Sequence, residues 1–270
     1  MNVASSFMIA DPVSSITVNG VCVELIERGA GKPLLFLHPG IGIEPTAPVL
    51  DRLAVRARVL APVHPGFGRS EQPKSFDTVD DLAYFYLDLL DELDLRDTVV
   101  VGVSFGGWIA AEIAIKSTER ISHLVLANAV GIKVGDRETR DIVDIWAIPE
   151  KELVELAYFD PAVGTHDYKA MPDAEVLAAA RNREATARYA WSPYMHAPKL
   201  RSRLHRIRIP TLVLWGAADR ILSEPYGRAY GAAIPAARFE LIERAGHFPH
   251  LEQPELFADR IFAFVEGTSQ

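Results

Sequence analysis

A chain of 270 residues that is 49% hydrophobic has enough apolar content for one sizeable core, so it reads as a single domain or a domain with an insertion. Its net charge of −8, with acidic residues dispersed rather than blocked, argues against phosphate-backbone binding, and its single cysteine rules out an internal disulfide. No apolar run approaches 18 residues and the N-terminus has no basic start before an apolar stretch, so a soluble cytoplasmic protein is expected, with no membrane or nucleic-acid partner.

In chain order, residues 16–19 and 21–27 predict an antiparallel hairpin turning at Asn19-Gly20, with Cys22 as a small core or half-buried residue. The apolar run 34–37 predicts a buried strand that stops at His38-Pro39-Gly40-Ile41-Gly42. A helix over 46–54 and a strand over 58–61 follow, then a Pro- and Gly-dense loop through Ser70. Thr78 is the expected N-cap of a helix in which Leu82, Phe85, Tyr86, Leu89, Leu90 and Leu93 recur at spacings of three and four. A β-branched run from Thr98 to Val101 leads into Gly102-Val103-Ser104-Phe105-Gly106-Gly107 and an Ala- and Ile-rich helical stretch. Residues 121–127 predict another strand.

Residues 131–206 break this rhythm: no clear strand appears, and helical patches fall at 137–146, 150–158 and 173–189. The alternation then resumes with a strand over 211–215, a helix over 224–233, a strand over 238–242 and a helix over 254–265. The expected fold is α/β, a mostly parallel central sheet with helices on both faces. Residues 1–130 and 207–270 would form its core, and 131–206 a helical cap inserted above the sheet. The loops after Leu37, Ala61, Val103, Ala127 and Trp215 would share the carboxyl edge of the sheet, where such folds bind ligands.

Strand, Gly-x-Ser-x-Gly and helix in succession form the layout of a nucleophile elbow. The pentapeptide alone arises by chance in roughly one chain in ten of this length, so it needs a base, an acid and an oxyanion donor around it. His247, on the loop after the last strand, is the candidate base, and Asp219, on the loop after strand 211–215, the candidate orienting acid. The backbone N–H of Phe105 is one candidate oxyanion donor. The other comes from the loop after strand 34–37, where Pro39 has no N–H; Gly40 is the first choice and Ile41 the second.

With these residues in view, the sequence resembles the α/β-hydrolase superfamily, in particular its lidded serine-nucleophile members, over nearly its whole length. The resemblance rests on LLFLHPG (34–40), PGFGRS (65–70), GVSFGG (102–107), LWGAADRI (214–221) and AGHFPHLEQPE (245–255), in the family's order. It implies nucleophile Ser104, acid Asp219 and base His247. His38-Pro39-Gly40 departs from the usual His-Gly opening, which bears on the second oxyanion donor. No metal or organic cofactor is implied.

His38 is expected to brace its loop, and with Ile41, Trp108, Trp146, Trp191 and Phe248 it makes up the candidate substrate pocket. His64 is expected to be structural and His250 to lie at the surface. Asn128 is placed near the His247 imidazole, and Arg181, Arg183 and Arg188 on a solvated helix face. The expected activity is acyl transfer by a Ser-His-Asp triad on a small-molecule carboxylic ester or lactone. Cleavage of a C–C bond in a ring-cleavage diketone is the alternative, although members of that kind often carry Trp after the base, where this chain has Phe248. A non-hydrolytic ligand receptor, a lyase and a cofactor-free oxygenase are the rivals from other classes.

Overall fold

The computed structural model describes residues 14–43, 46–235 and 237–267. The N-terminal stretch on which the expectation about a targeting signal rests lies almost wholly outside them. Eight strands form one sheet in the order β1-β2-β4-β3-β5-β6-β7-β8. β1 (Ser14–Val18) and β2 (Val21–Arg28) make the expected hairpin, and β2 runs antiparallel to β4 (Arg58–Pro62). Every other pairing is parallel, through β3 (Pro33–Leu37), β5 (Thr98–Val103), β6 (Ile121–Ala127), β7 (Thr211–Gly216) and β8 (Ala237–Ile242). The fully apolar runs become the central strands because those strands are covered on both faces.

Helices α1 (Ala47–Ala54) and α10 (Pro254–Gly267) pack on each other, as do α2 (Val79–Glu92) and α3 (Phe105–Lys116), so both faces of the sheet are covered. Thr78 caps α2 with a complete capping box: its side chain accepts the Asp81 N–H and the Asp81 carboxylate accepts the Thr78 N–H. The register sets Leu37 opposite Gly102, Val103 opposite Ala127, and Ala127 opposite Leu214. That alignment gathers the loops after β3, β5, β6 and β7 at one edge.

Between β6 and β7 the chain forms α4 (Glu150–Ala157), α5 (Pro161–Gly164), α6 (Asp173–Ala190) and α7 (Leu200–Arg203), without adding a strand to the sheet. α8 (Glu224–Ala232) links β7 to β8, and the short α9 (Pro249–Glu252) precedes α10.

Three expectations are corrected. Residues 137–146 are not a helix; they form bends and turns with an isolated bridge at Ile142. Asp141 accepts the N–H groups of Val134 and Gly135, and Asp136 those of Glu138 and Thr139, so side chains take the donors a helix would use. Cys22 is exposed rather than core, because in β2 it alternates with the buried Val21 and Val23. His250 is fully buried, not at the surface, among the rings of Phe36, Phe248 and Phe257.

Neither ring nitrogen of His250 has a hydrogen-bond partner among the described residues. Burial, reinforced by nearby His247, lowers its pKa to about 3, so it is neutral in the fold. A folded value below the unfolded one gives stability that is complete above the ordinary imidazole range and lost as pH falls towards 3. At pH 4.5 such a histidine opposes folding by roughly 2–3 kcal/mol. His250→Leu is therefore expected to raise the urea midpoint at pH 7 and to lessen its drop between pH 7 and 4.5. An undiminished drop would show that the acid sensitivity has another source.

Candidate active site

β5 delivers Ser104 at a sharp turn into α3, with φ 52° and ψ −112°, a conformation that costs a non-glycine residue about 1–3 kcal/mol. Tertiary bonds hold it there. The Ser104 N–H donates to Ala127 O at 2.9 Å, and Ser104 O accepts the N–H groups of Trp108 and Val130. The two glycines of the motif are steric necessities: a Cβ on Gly102 would lie 2.4 Å from Gly106 O, and one on Gly106 would lie 2.1 Å from Leu37 O.

The loops after β7 and β8 bring Asp219 and His247 to this serine. Ser104 Oγ lies 2.7 Å from His247 Nε2, and His247 Nδ1 lies 2.8 Å from Asp219 Oδ2. All three residues are buried, Ser104 at 8% exposure, His247 at 4% and Asp219 at 7%. With Nδ1–H donated to the carboxylate, Nε2 is left to accept the Ser104 hydroxyl proton. Asp219 is held from every side: Oδ1 accepts the N–H groups of Ile221 at 2.9 Å and Leu222 at 3.0 Å, and Oδ2 also accepts the Asn128 amide at 2.7 Å. These donors, with the imidazole, satisfy the lone pairs of a buried carboxyl group.

Asn128 therefore meets the acid rather than the imidazole. It follows β6 at φ 43°, which Asn tolerates better than most residues. Its Oδ1 accepts Gly216 N–H at 3.1 Å and its Nδ2 also reaches Gly246 O at 3.4 Å, joining the loops after β7 and β8.

Among the described residues, no hydrogen bond is donated by the backbone N–H of Phe105, Gly40 or Ile41. The expected oxyanion donors are thus free, and both second-donor choices stay open. The loop carrying Gly40 turns on a Gly42 N–H to Pro39 O bond of 3.0 Å and is braced from beneath by stacked His38 and His64, 3.6 Å between ring centroids. His38 Nδ1 donates to Pro39 O and its Nε2 accepts His64 N–H; His64 Nε2 donates to His38 O and its Nδ1 pairs with the Tyr86 hydroxyl. Burial lowers the His38 pKa to about 3 and carries that of His64 well below its ordinary value, so both are neutral. Neither ring nitrogen of His38 is left for a substrate, so His38 serves the loop rather than the pocket.

α6 lies over this loop. Asn182, Thr186 and Tyr189, one helical face at spacings of four and three, touch the β3 and β4 loops. Thr186 Oγ1 donates to Gly40 O at 2.8 Å, Asn182 Nδ2 to Ile41 O at 3.2 Å, and the Tyr189 hydroxyl to Pro65 O at 3.1 Å. No motif marks these three residues; only the packing of α6 identifies them.

Phe248 packs beside the base, 4.8 Å between ring centroids, and buried Trp108 packs against Phe105 with no partner for its indole N–H among the described residues. Ile41 is 40% exposed on the loop itself. Trp146 and Trp191 instead pack on each other, and Trp146 on Tyr194, with Trp191 59% exposed. Arg181, Arg183 and Arg188 are exposed, as expected of a solvated face. No group of His, Cys, Asp and Glu able to hold a metal, and no helix long and apolar enough to cross a membrane, occurs among the described residues.

A model described as the alpha/beta hydrolase family matches residues 34–260. A 2-hydroxymuconate semialdehyde hydrolase of Pseudomonas sp. strain CF600 is 28% identical, over 93% of this chain and 92% of that one. The crystal structure of a meta-cleavage product hydrolase variant superposes with a TM-score of 0.77 at 22% identity, covering 94% of this chain and 98% of the other. A solved structure of an N-acyl homoserine lactone degrading enzyme has a TM-score of 0.70 at 21% identity, covering 93% of this chain and 100% of the other.

Proposed function

The chain belongs to the alpha/beta hydrolase family, and on that premise we propose that it is a serine hydrolase of small-molecule carboxylic esters or lactones, working through an acyl-enzyme. The observation that carries this reading is the buried relay of 2.7 and 2.8 Å from Ser104 through His247 to Asp219, beside free backbone donors. His247 takes the Ser104 proton as Oγ attacks the carbonyl, and Asp219 holds the imidazole in the accepting tautomer. The oxyanion is received by Phe105 N–H and by Gly40 or Ile41 N–H. The proton on His247 passes to the leaving oxygen, and a water activated by the same base then releases the acid. In this reading segment 131–206 acts as the lid, and Trp108, Phe248 and Ile41 line the pocket with it.

Cleavage of a C–C bond in a vinylogous diketone is the second reading. It is favoured by the relative that hydrolyses 2-hydroxymuconate semialdehyde, whose likeness spans 93% of this chain. Aryl esters of varied chain length, lactones and vinylogous diketones, each assayed beside Ser104→Ala, separate the two. Esters or lactones turned over at least 100-fold faster than diketones support the first reading, and the reverse order supports the second. Failure of the whole panel would count against hydrolysis and favour a receptor or lyase.

A further inference from the structure

The last turn of α4 ends against the two loops that carry Asp219 and His247. A helix leaves its final carbonyls without intrahelical donors, and here those loops supply them. Ala157 O accepts His247 N–H at 2.6 Å, Leu156 O accepts Arg220 N–H at 3.1 Å, and Glu155 O accepts the Arg220 guanidinium. The approach is close enough that a Cβ on Gly246 would lie 2.3 Å from Ala157 O.

Glu252, half-buried at the end of α9, reaches back to the same contact. Its Oε2 accepts Gly246 N–H at 2.6 Å and its Oε1 accepts Asp160 N–H at 2.9 Å. One carboxylate thus joins the peptide just before His247 to the chain just beyond α4. Bonds from backbone N–H to an ionised carboxylate are about twice as strong as neutral ones. A reacting pair loses rate steeply when its supporting groups let it drift by about an ångström.

We propose that Glu252 is a positioning residue whose carboxylate clips the His247 loop to residues 157–160, so that the inserted segment holds His247 in register with Ser104. The inference rests on the reading of Ser104 and His247 as nucleophile and base.

The test needs no knowledge of the substrate. A fluorophosphonate phosphonylates an activated serine: the Ser104 Oγ–P bond forms, the P–F bond breaks, fluoride leaves, and the serine proton passes to His247. The labelling rate, read by intact mass with Ser104→Ala as blank, is compared for the parent, Glu252→Gln and Glu252→Ala. All are held at a temperature where circular dichroism shows them folded. The downfield proton resonance of His247 Nδ1–H is recorded on the same samples.

Glu252→Ala is expected to label at least tenfold more slowly and to lose or broaden that resonance. Glu252→Gln, whose amide oxygen can still accept Gly246 N–H, should fall between. Labelling of Glu252→Ala within twofold of the parent, with the resonance intact, overturns the proposal. Should Glu252→Ala not fold, Glu252→Gln decides alone by the same twofold criterion. A parent that is not labelled at Ser104 overturns instead the nucleophile reading on which the proposal stands.

Discussion

Ser104→Ala is expected to lower turnover of the best substrate by at least about 10⁴-fold while leaving the fold intact. The hydroxyl is the only atom lost, and its partner His247 Nε2 stays buried and held through Nδ1 by Asp219. Because Ser104 sits at φ 52°, alanine inherits the backbone strain. Ser104→Gly, equally inactive, should relieve part of it and be more stable than the alanine variant by about 1 kcal/mol. Turnover by either variant, measured after removal of contaminating hydrolases, would remove Ser104 from the reaction. Equal melting temperatures would show that the elbow is unstrained.

Asp219→Asn is expected to cost about 10⁴-fold in kcat with a much smaller change in KM. An amide nitrogen at the Oδ2 position would face His247 Nδ1 as a donor, turn the imidazole to the other tautomer and leave Nε2 unable to accept the Ser104 proton. Asn128 sharpens the test, because its amide lies 2.7 Å from the same oxygen. Asn128→Asp alone sets two carboxylates side by side, which must share a proton, and should slow turnover. Combined with Asp219→Asn it returns one carboxylate to the cluster and should recover part of the lost rate. A double variant no faster than Asp219→Asn would show that the charge must sit on the loop after β7.

The elbow was legible because its requirements are local. A strand, a turn that tolerates only glycine at two positions and a helix leave a short signature, and the collisions a Cβ would meet at Gly102 and Gly106 are its physical content. The strand and helix order was legible for a similar reason, since burial on one or both faces imprints a period on neighbouring residues. The segment 137–146 misled because its apolar spacing suited a helix while Asp136 and Asp141 offered the backbone other acceptors.

What the amino-acid sequence determined by itself was the fold class and the membership of the candidate triad: five short segments in a fixed order, each with its own local chemistry. Only the tertiary structure decided what stands behind those residues. Asn128 reaches Asp219 because the parallel register sets Ala127 beside Leu214, a relation between strands separated by the whole inserted segment. His250 is buried because Phe36 and Phe257, far apart in the chain, close around it. Glu252 finds Asp160, and Thr186 finds Gly40, across separations of 92 and 146 residues. Contacts between elements distant in the chain leave no period in the sequence; they follow from how the crossovers stack the loops at one edge of the sheet.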